Sequence, residues 1–136
     1  MTLAIVDAGP LFAAADADDP RHDDVLAIFA RSDLRFICPA FAVDEAVYLV
    51  GRRLGPTAEA TFLRGLAEVD IETPSPEDFV RMAELVEQYA DFPLGGADAS
   101  VVALAERLDA PVVVTLDRRH FSAVTPRHRP AFELLP

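Results

Sequence analysis

Short apolar segments, each bounded by turn residues, recur along the chain and alternate with longer stretches that have helical character. The clearest are residues 3–6 and 112–115, and residues 35–38 and 69–72 form two further short segments. Strands that are covered by helices on both faces are apolar at successive positions, as in parallel sheets. The alternation therefore predicts an α/β protein with three layers, α/β/α, around a mostly parallel central sheet.

Turn and capping residues set the limits of the helices. Ser75 followed by Pro76 and two acids is a strong helix start, and Gly55-Pro56 separates two helices. Asp19-Pro20 predicts a further helix start, with Pro at the first helical position. No repeat, linker or low-complexity segment interrupts the pattern, so we expect one domain over residues 1–136. The predicted helices cover residues 11–15, 20–30, 40–54, 57–68, 76–90, 97–108 and 118–121, and residues 131–135 form a possible edge strand.

Composition narrows the class of protein. No apolar run approaches the roughly 18 residues that cross a bilayer, and the first residues lack a basic segment followed by a long apolar stretch. We therefore expect a cytoplasmic protein without a signal peptide or a membrane segment. The single cysteine, Cys38, excludes an intramolecular disulfide. The net charge of −11 argues against a uniformly basic nucleic-acid surface. Arginines are nevertheless grouped at 52–53, 118–119 and 127–129, and Arg suits bidentate phosphate contacts.

Four acidic residues interrupt otherwise apolar segments. Asp7 ends the first strand, Asp117 follows the strand at 112–115, and Asp98 opens the helix at 97–108. Glu45 lies in the apolar stretch from residue 40 to 50. A buried carboxylate is costly unless it is paired, hydrogen-bonded or bound to a cation, and few bases lie nearby in sequence. A divalent metal site is the simplest common explanation.

Each acid taken alone also has a purely structural interpretation. Asp7 before Ala-Gly-Pro suits an Asx turn, Asp98 suits a helix N-terminus, and Asp117 suits a cap. Helical spacing does not choose between Asp44 and Glu45, because each has apolar neighbours three and four positions away. Oxygen-only clusters favour Mg²⁺ or Mn²⁺ over zinc, and the carboxyl ends of parallel strands are where such groups gather.

Four segments carry a resemblance to a known family. Residues 5–11 (IVDAGPL), 39–50, 94–100 (LGGADAS) and 114–121 (VTLDRRHF) resemble, in order, the four motifs of PIN-domain ribonucleases. The likeness is to VapC-like toxins of bacterial toxin–antitoxin pairs, and it covers nearly the whole chain. One departure is Ala8, where many relatives carry Thr or Ser, which affects the surroundings of the first acid.

The resemblance implies a function and a set of site residues. It implies an endoribonuclease that uses Mg²⁺, with Mn²⁺ as the alternative cation, held by Asp7, Glu45, Asp98 and Asp117, and that leaves 5′-phosphate and 3′-hydroxyl ends. Thr115 would hydrogen-bond within the site, and Arg118 and Arg119 would contact RNA phosphates. The expected partners are RNA, a VapB-like antitoxin and a second copy of the chain in a homodimer. Asp91 is a further acid near the third motif, without an assigned role.

Other classes of protein fit less well. Phosphoacceptor receiver domains need a Lys near their acids, and this chain contains no Lys. Haloacid-dehalogenase-like phosphatases need Asp-x-Asp after the first strand, where Gly9 takes the third position. The remaining alternative is a PIN-like module with weak or no catalysis that acts by binding a partner protein; the four intact acids favour the enzyme.

Overall fold

Strand β1 (Thr2–Val6) lies at the centre of a five-stranded sheet in which every pairing is parallel. The structure is a computed structural model that describes all 136 residues. The other strands are β2 (Leu34–Pro39), β3 (Ile71–Glu72), β4 (Val112–Val114) and β5 (Glu133–Leu135). The helices are α1 (Ala8–Ala15), α2 (His22–Phe29), α3 (Ala40–Leu54), α4 (Pro56–Leu66), α5 (Pro76–Gln88), α6 (Gly96–Arg107) and α7 (Arg118–Ala123).

In the strand order β3-β2-β1-β4-β5, the direction in which successive strands are added to the sheet reverses beside β1. The chain builds outward from β1 through β2 to β3, and then crosses to the other side of β1 to form β4 and β5. Ligand sites of open α/β sheets lie beyond the carboxyl ends of the strands at such a point. The residues that follow β1 and β4 therefore lie at the edge of the sheet where a ligand site is expected.

Helices cover both faces of the sheet and form two apolar cores. On one face, helices α5 and α6 pack on the sheet through a cluster that includes Leu85, Val102 and Ile5. On the other face, helices α1 and α3 pack on Val6 and Val114. The predicted three-layer α/β/α fold is confirmed, and the sheet is entirely parallel.

Most predicted elements are present, with corrections at their ends. Helix α1 begins at Ala8, three residues before the predicted start. Helix α2 begins at His22, because the Asp19 carboxylate accepts the Arg21 N–H at 2.8 Å and keeps Pro20 in a turn. The strand predicted at 69–72 shortens to Ile71–Glu72, because the Val69 N–H bonds back to the Leu66 carbonyl at 3.1 Å. The edge strand predicted at 131–135 shortens to Glu133–Leu135.

Helix α4 is set against α3 by a tight junction. Gly55 has φ +92°, a left-handed conformation that glycine adopts without strain, and Pro56 starts α4 at once. No residue of α4 is fully buried, so the helix lies on the outside of the molecule. None of the helices has the length and apolar character that crossing a membrane requires.

Candidate active site

Asp7 is the buried acid of the sheet edge. It follows β1 directly, and its backbone N–H donates to the Val114 carbonyl at 2.9 Å, which continues the β1–β4 pairing by one residue. The residue is 6 % exposed. Although Asp7 occupies the N-cap position of α1, its side chain makes no capping hydrogen bond. The Asx-turn interpretation therefore leaves the carboxylate unexplained.

The environment of Asp7 disfavours its charge. The pKa of the Asp7 carboxyl is raised from 3.8 to about 6, chiefly by burial; hydrogen bonds from Thr115 and from the Ala8 backbone lower the pKa in part, and the charges of Asp98 and Glu45 raise it. No arginine pairs with this carboxylate. A buried acid without a basic partner, repelled by two further acids, is the electrostatic arrangement that a bound cation would relieve.

Thr115 connects two of the acids through one hydroxyl group. Its Oγ1 donates to Asp7 Oδ2 at 2.9 Å and accepts the Asp117 backbone N–H at 2.9 Å. The residue is 1 % exposed, directly after β4. The bond expected of Thr115 within the site is thus present, and it joins the ends of β1 and β4.

Asp117 caps α7, and its carboxylate is hydrogen-bonded to a single residue. Its Oδ1 accepts the His120 backbone N–H at 3.2 Å, and its Oδ2 lies 2.5 Å from His120 Nδ1. The capping interpretation of Asp117 is therefore correct, yet the side chain remains 41 % exposed toward the sheet edge. His120 is thus a further residue of the site, and its position three residues after a capping acid is the sequence signal for this contact.

Asp98 and Glu45 lie at the same edge of the sheet and belong to helices α6 and α3, respectively. Asp98 Oδ2 accepts the Gly95 N–H at 3.3 Å, so this acid also serves its helix N-terminus. Burial raises the pKa of Asp98; Gly95 and His120 lower it, and Asp117 raises it. Burial, followed by the charge of Asp98, raises the pKa of Glu45. Each of the four acids thus takes part in at least one charge repulsion with another, so they lie within the range of one another's charge at this edge.

The expectation that all four acids occupy core-like positions is wrong in detail. Only Asp7 is buried; Glu45 is exposed, and Asp98 and Asp117 are intermediate. The reason is that Glu45, Asp98 and Asp117 lie at an open edge of the sheet, where apolar neighbours in sequence face the core and the acids face outward.

Two further acids lie apart from this group. Asp44 and Glu45 both line a depression of about 540 Å³ beside the N-terminus of α6, but only Glu45 influences the pKa of Asp7. Asp91 is exposed in the turn between α5 and α6. The structure thus separates Glu45 from Asp44, which helical spacing left open.

Arg118 and Arg119 differ in their surroundings. Arg118 Nη2 donates to the Leu134 carbonyl at 3.1 Å and to the Pro136 carbonyl, so it binds the end of the chain. Arg119 is exposed and makes no hydrogen bond or ion pair; its guanidinium carbon lies 5.4 Å from the centroid of the Phe92 ring. Arg119 is consequently a cation without a hydrogen-bonded partner, two residues after Asp117 in sequence.

The donor set suits a hard divalent cation, although the side chains are not arranged around one. No three Asp, Glu, His or Cys side chains converge closely enough to hold a metal ion in this conformation. Oxygens of Asp98 and Asp117 are instead turned toward Gly95 and His120. Four carboxylates at one edge, all oxygen donors and none paired with arginine, nevertheless match Mg²⁺ or Mn²⁺ in ligand chemistry.

Fold and site together define a class: a doubly covered parallel α/β protein with an acidic cluster at its topological switch point. The PIN domain family model matches residues 4–125. The chain is also 35 % identical over 134 residues to Ribonuclease VapC26 of Mycobacterium tuberculosis. The matched region covers 97 % of this chain and 99 % of the relative. The chain therefore belongs to the PIN-domain family, in its VapC-like branch.

Solved structures share the fold at lower identity. VapC20 of Mycobacterium tuberculosis, described as a toxin that cleaves the sarcin–ricin loop, superposes with a TM-score of 0.73 at 18 % identity, over 81 % of this chain and 86 % of that one. VapBC2 of Rickettsia felis, bound to a promoter DNA fragment, gives 0.73 at 14 % identity, over 99 % and 100 %. At these identities the likeness concerns the fold.

Proposed function

We propose that the chain is a metal-dependent endoribonuclease that acts as the toxin of a toxin–antitoxin pair. The observation that carries the proposal is the acidic edge itself: a buried Asp7 without a basic partner, with Glu45, Asp98 and Asp117 close by. Membership of the PIN-domain family and the 35 % identity to a VapC ribonuclease support the same activity.

The residues have distinct roles in this proposal. Asp7, Asp98 and Asp117 would hold the cation, and Glu45, the most exposed of the four, would be a further ligand or orient the attacking water. A bound Mg²⁺ or Mn²⁺ would supply an activated water and neutralise charge on the phosphoryl group. Thr115 holds Asp7 through its hydroxyl group and lowers the pKa of that carboxyl, which keeps it available as an anion.

Arg119 would contact a phosphate that flanks the cleaved bond. Its guanidinium has no partner in the protein, lies on the Phe92 ring and follows Asp117 by two residues. Stacking on an aromatic ring orients the group without neutralising its charge. Arg118 was expected in the same role. Its guanidinium binds the Leu134 and Pro136 carbonyls, so its contact with RNA stays a prediction, which single-residue variants would test.

An apolar groove supports the antitoxin partner. It has a volume of about 740 Å³ and runs between α1, the end of α2, β2 and the exposed helix α4. Ten of its 14 lining residues are hydrophobic, among them Leu11, Phe29, Phe36 and Phe62. A groove of this kind suits the apolar face of a partner helix. We assign it to a VapB-like antitoxin; related solved structures include VapBC complexes.

A homodimer is the second expected assembly. The rings of Phe41 and Phe79 contact each other on the outside of α3 and α5, with centroids 5.9 Å apart and an angle of 60° between their planes. Val80 and Tyr48 on the same helices are 62 % and 65 % exposed. Large apolar side chains grouped in this way mark protein interfaces. Val80→Glu should shift the sedimentation coefficient of the purified protein from dimer to monomer, whereas an unchanged dimer would place the interface elsewhere.

The direct test is cleavage of total cellular RNA by antitoxin-free protein in Mg²⁺, in Mn²⁺ and in excess EDTA. Wild type should give discrete fragments with metal only, and Asp98→Asn should give none while remaining folded. Fragments that persist in EDTA would contradict the metal requirement. A folded protein that cleaves nothing under any condition would favour the alternative, a binding module that acts through its partner protein.

A further inference from the structure

The depression of about 540 Å³ beside the N-terminus of α6 opens directly next to the acidic edge. Its lining consists of two aromatic side chains, two carboxylates and two alanines: Phe41, Tyr48, Asp44, Glu45, Ala40 and Ala97. Glu45 also belongs to the group of four acids, and Ala97 directly precedes Asp98. A polymer that places one of its phosphodiesters at the acids therefore has a neighbouring unit beside this depression.

Tyr48 is the accessible aromatic side chain of the depression. It is 65 % exposed, and no other aromatic ring of the chain packs against it. Phe41, one of the other lining residues, is 38 % exposed, and its ring contacts Phe79. The Tyr48 ring is consequently the one that a ligand in the depression can contact over a large area.

The carboxylates decide which part of an RNA chain the depression accepts. Asp44 and Glu45 both line it, and no Arg or His side chain does. A phosphate would be repelled by these two charges. A nucleobase is uncharged, its face stacks on an aromatic ring, and its N–H groups can donate to a carboxylate.

The depression and the apolar surface assigned to the homodimer meet at Phe41. Phe41 lines the depression and contacts Phe79, whereas Phe79 and Val80 of α5 are not part of the lining. Tyr48 lines the depression and has no aromatic contact with α5. We therefore expect a dimer formed through α5 to survive the loss of the Tyr48 ring.

We propose that this depression is a subsite for one unpaired nucleobase of the substrate, and that the base stacks on Tyr48. The inference rests on the proposed ribonuclease function and deepens it, because it names single-stranded RNA beside the cleaved bond as the substrate. A base within a duplex is stacked on its neighbours on both faces and cannot enter such a subsite. Removing an aromatic ring on which a single-stranded base stacks typically weakens binding by about 5- to 150-fold.

The experiment measures binding of a pool of short, fluorescently labelled single-stranded RNAs of random sequence, by anisotropy in Mg²⁺. The parent protein is the catalytically silent Asp98→Asn variant. Adding Tyr48→Ala should weaken binding about 5-fold or more, and Tyr48→Phe, which keeps the ring, should bind as the parent does. Leu63, 50 % exposed on α4, lines neither the depression nor the apolar groove, so Leu63→Ala is the matched control and should bind as the parent does.

Two further measurements identify the contact as stacking on a base. An abasic strand with the same number of phosphates should bind the parent and Tyr48→Ala equally, because it has no base to stack. The slope of log affinity against log salt should be the same in both proteins, since no phosphate contact is lost.

The outcomes separate the subsite from the proposed function. Equal binding of the RNA pool by the parent and Tyr48→Ala would overturn the subsite and leave the nuclease standing. A loss that is equally large with the abasic strand, or that accompanies dissociation of a dimer in sedimentation velocity, would also overturn it. Absence of RNA binding by the folded parent would contradict both proposals. Thermal unfolding is the folding control, and Tyr48→Leu, with the same expected loss, replaces Tyr48→Ala if that variant does not fold.

Discussion

Thr115 Oγ1 lies 2.9 Å from Asp7 Oδ2, and this hydrogen bond connects the residues that follow strands β4 and β1. The same oxygen accepts the Asp117 N–H at 2.9 Å. One buried hydroxyl group thus fixes the direction of the buried acid and the path of the backbone into the exposed one. The candidate site depends on this link as much as on the acids themselves.

Replacing Thr115 by Val should destabilise the metal-free protein by about 1.5–3 kcal/mol, because a buried carboxylate loses its only side-chain donor. Val keeps the shape of Thr, so the loss reports the hydroxyl group. Urea unfolding at pH 7.5 in EDTA measures the change, and Thr115→Ser, which keeps the hydroxyl, is the control. Equal stability of the Val variant and wild type would show that the bond contributes nothing.

Asp7 should make the metal-free protein less stable as the pH rises. Its folded pKa, about 6, is above the unfolded value of 3.8, so between these values the folded state binds more protons than the unfolded state. Stability from this group is therefore highest below pH 3.8 and declines as the pH rises toward and through 6. Relative to Asp7→Asn, wild type should lose about 2 kcal/mol between pH 4.5 and 7.5.

The control for this pH dependence is Mn²⁺. Saturating cation should reduce the loss at high pH, because binding to the ionised acids stabilises the folded state. A difference between wild type and Asp7→Asn that stays constant across this pH range would mean that Asp7 titrates as an ordinary surface acid.

The two neighbouring arginines should separate in an RNA-binding assay. Arg119→Ala should reduce the slope of log affinity against log salt by about one unit, because one phosphate contact is lost. We expect Arg118→Ala to lower the melting temperature, since its guanidinium binds the Leu134 and Pro136 carbonyls. A catalytically silent Asp98→Asn background permits the binding measurement. An unchanged slope in Arg119→Ala would assign this side chain to solvent.

A charge in the apolar groove should block the antitoxin without affecting the acids. Ala58 lines the groove in the first turn of α4, and the preceding Thr57 does not. Ala58→Glu should therefore abolish copurification with a co-expressed VapB-like antitoxin, whereas Thr57→Glu should copurify as wild type does. Both variants should keep full nuclease activity. Unimpaired binding of Ala58→Glu would exclude this groove as the docking surface.

The fold was predictable because its signals are local. Continuous apolar strands, the Ser75-Pro76 helix start and the Gly55-Pro56 break each act over a few residues, and each is present in the structure. Strand order and the exact start of α2 depend on distant packing and on one Asx turn at Asp19, which local pattern does not resolve.

The site was predictable as a set of acids and less so as an arrangement. Chain order and strand ends brought Asp7 and Asp117 to one edge, but exposure of Glu45 depends on which face of α3 meets the sheet. The contact of His120 with Phe92 joins residues almost thirty positions apart, so no local motif contains it, whereas its contact with Asp117 spans only three residues. The same holds for the separation of Arg118 from Arg119.

The chemistry of the cleaved ends tests the central claim most directly, because attack by a metal-activated water and attack by the RNA 2′-hydroxyl leave different products. Fragments produced by wild type in Mg²⁺ or Mn²⁺ would be mapped with enzymes that require a 5′-phosphate or a 3′-hydroxyl. We predict 5′-phosphate and 3′-hydroxyl ends, and continued cleavage when the nucleotide at the cut carries a 2′-deoxy sugar. Ends with 2′,3′-cyclic phosphate and 5′-hydroxyl, lost on 2′-deoxy substitution, would contradict the account.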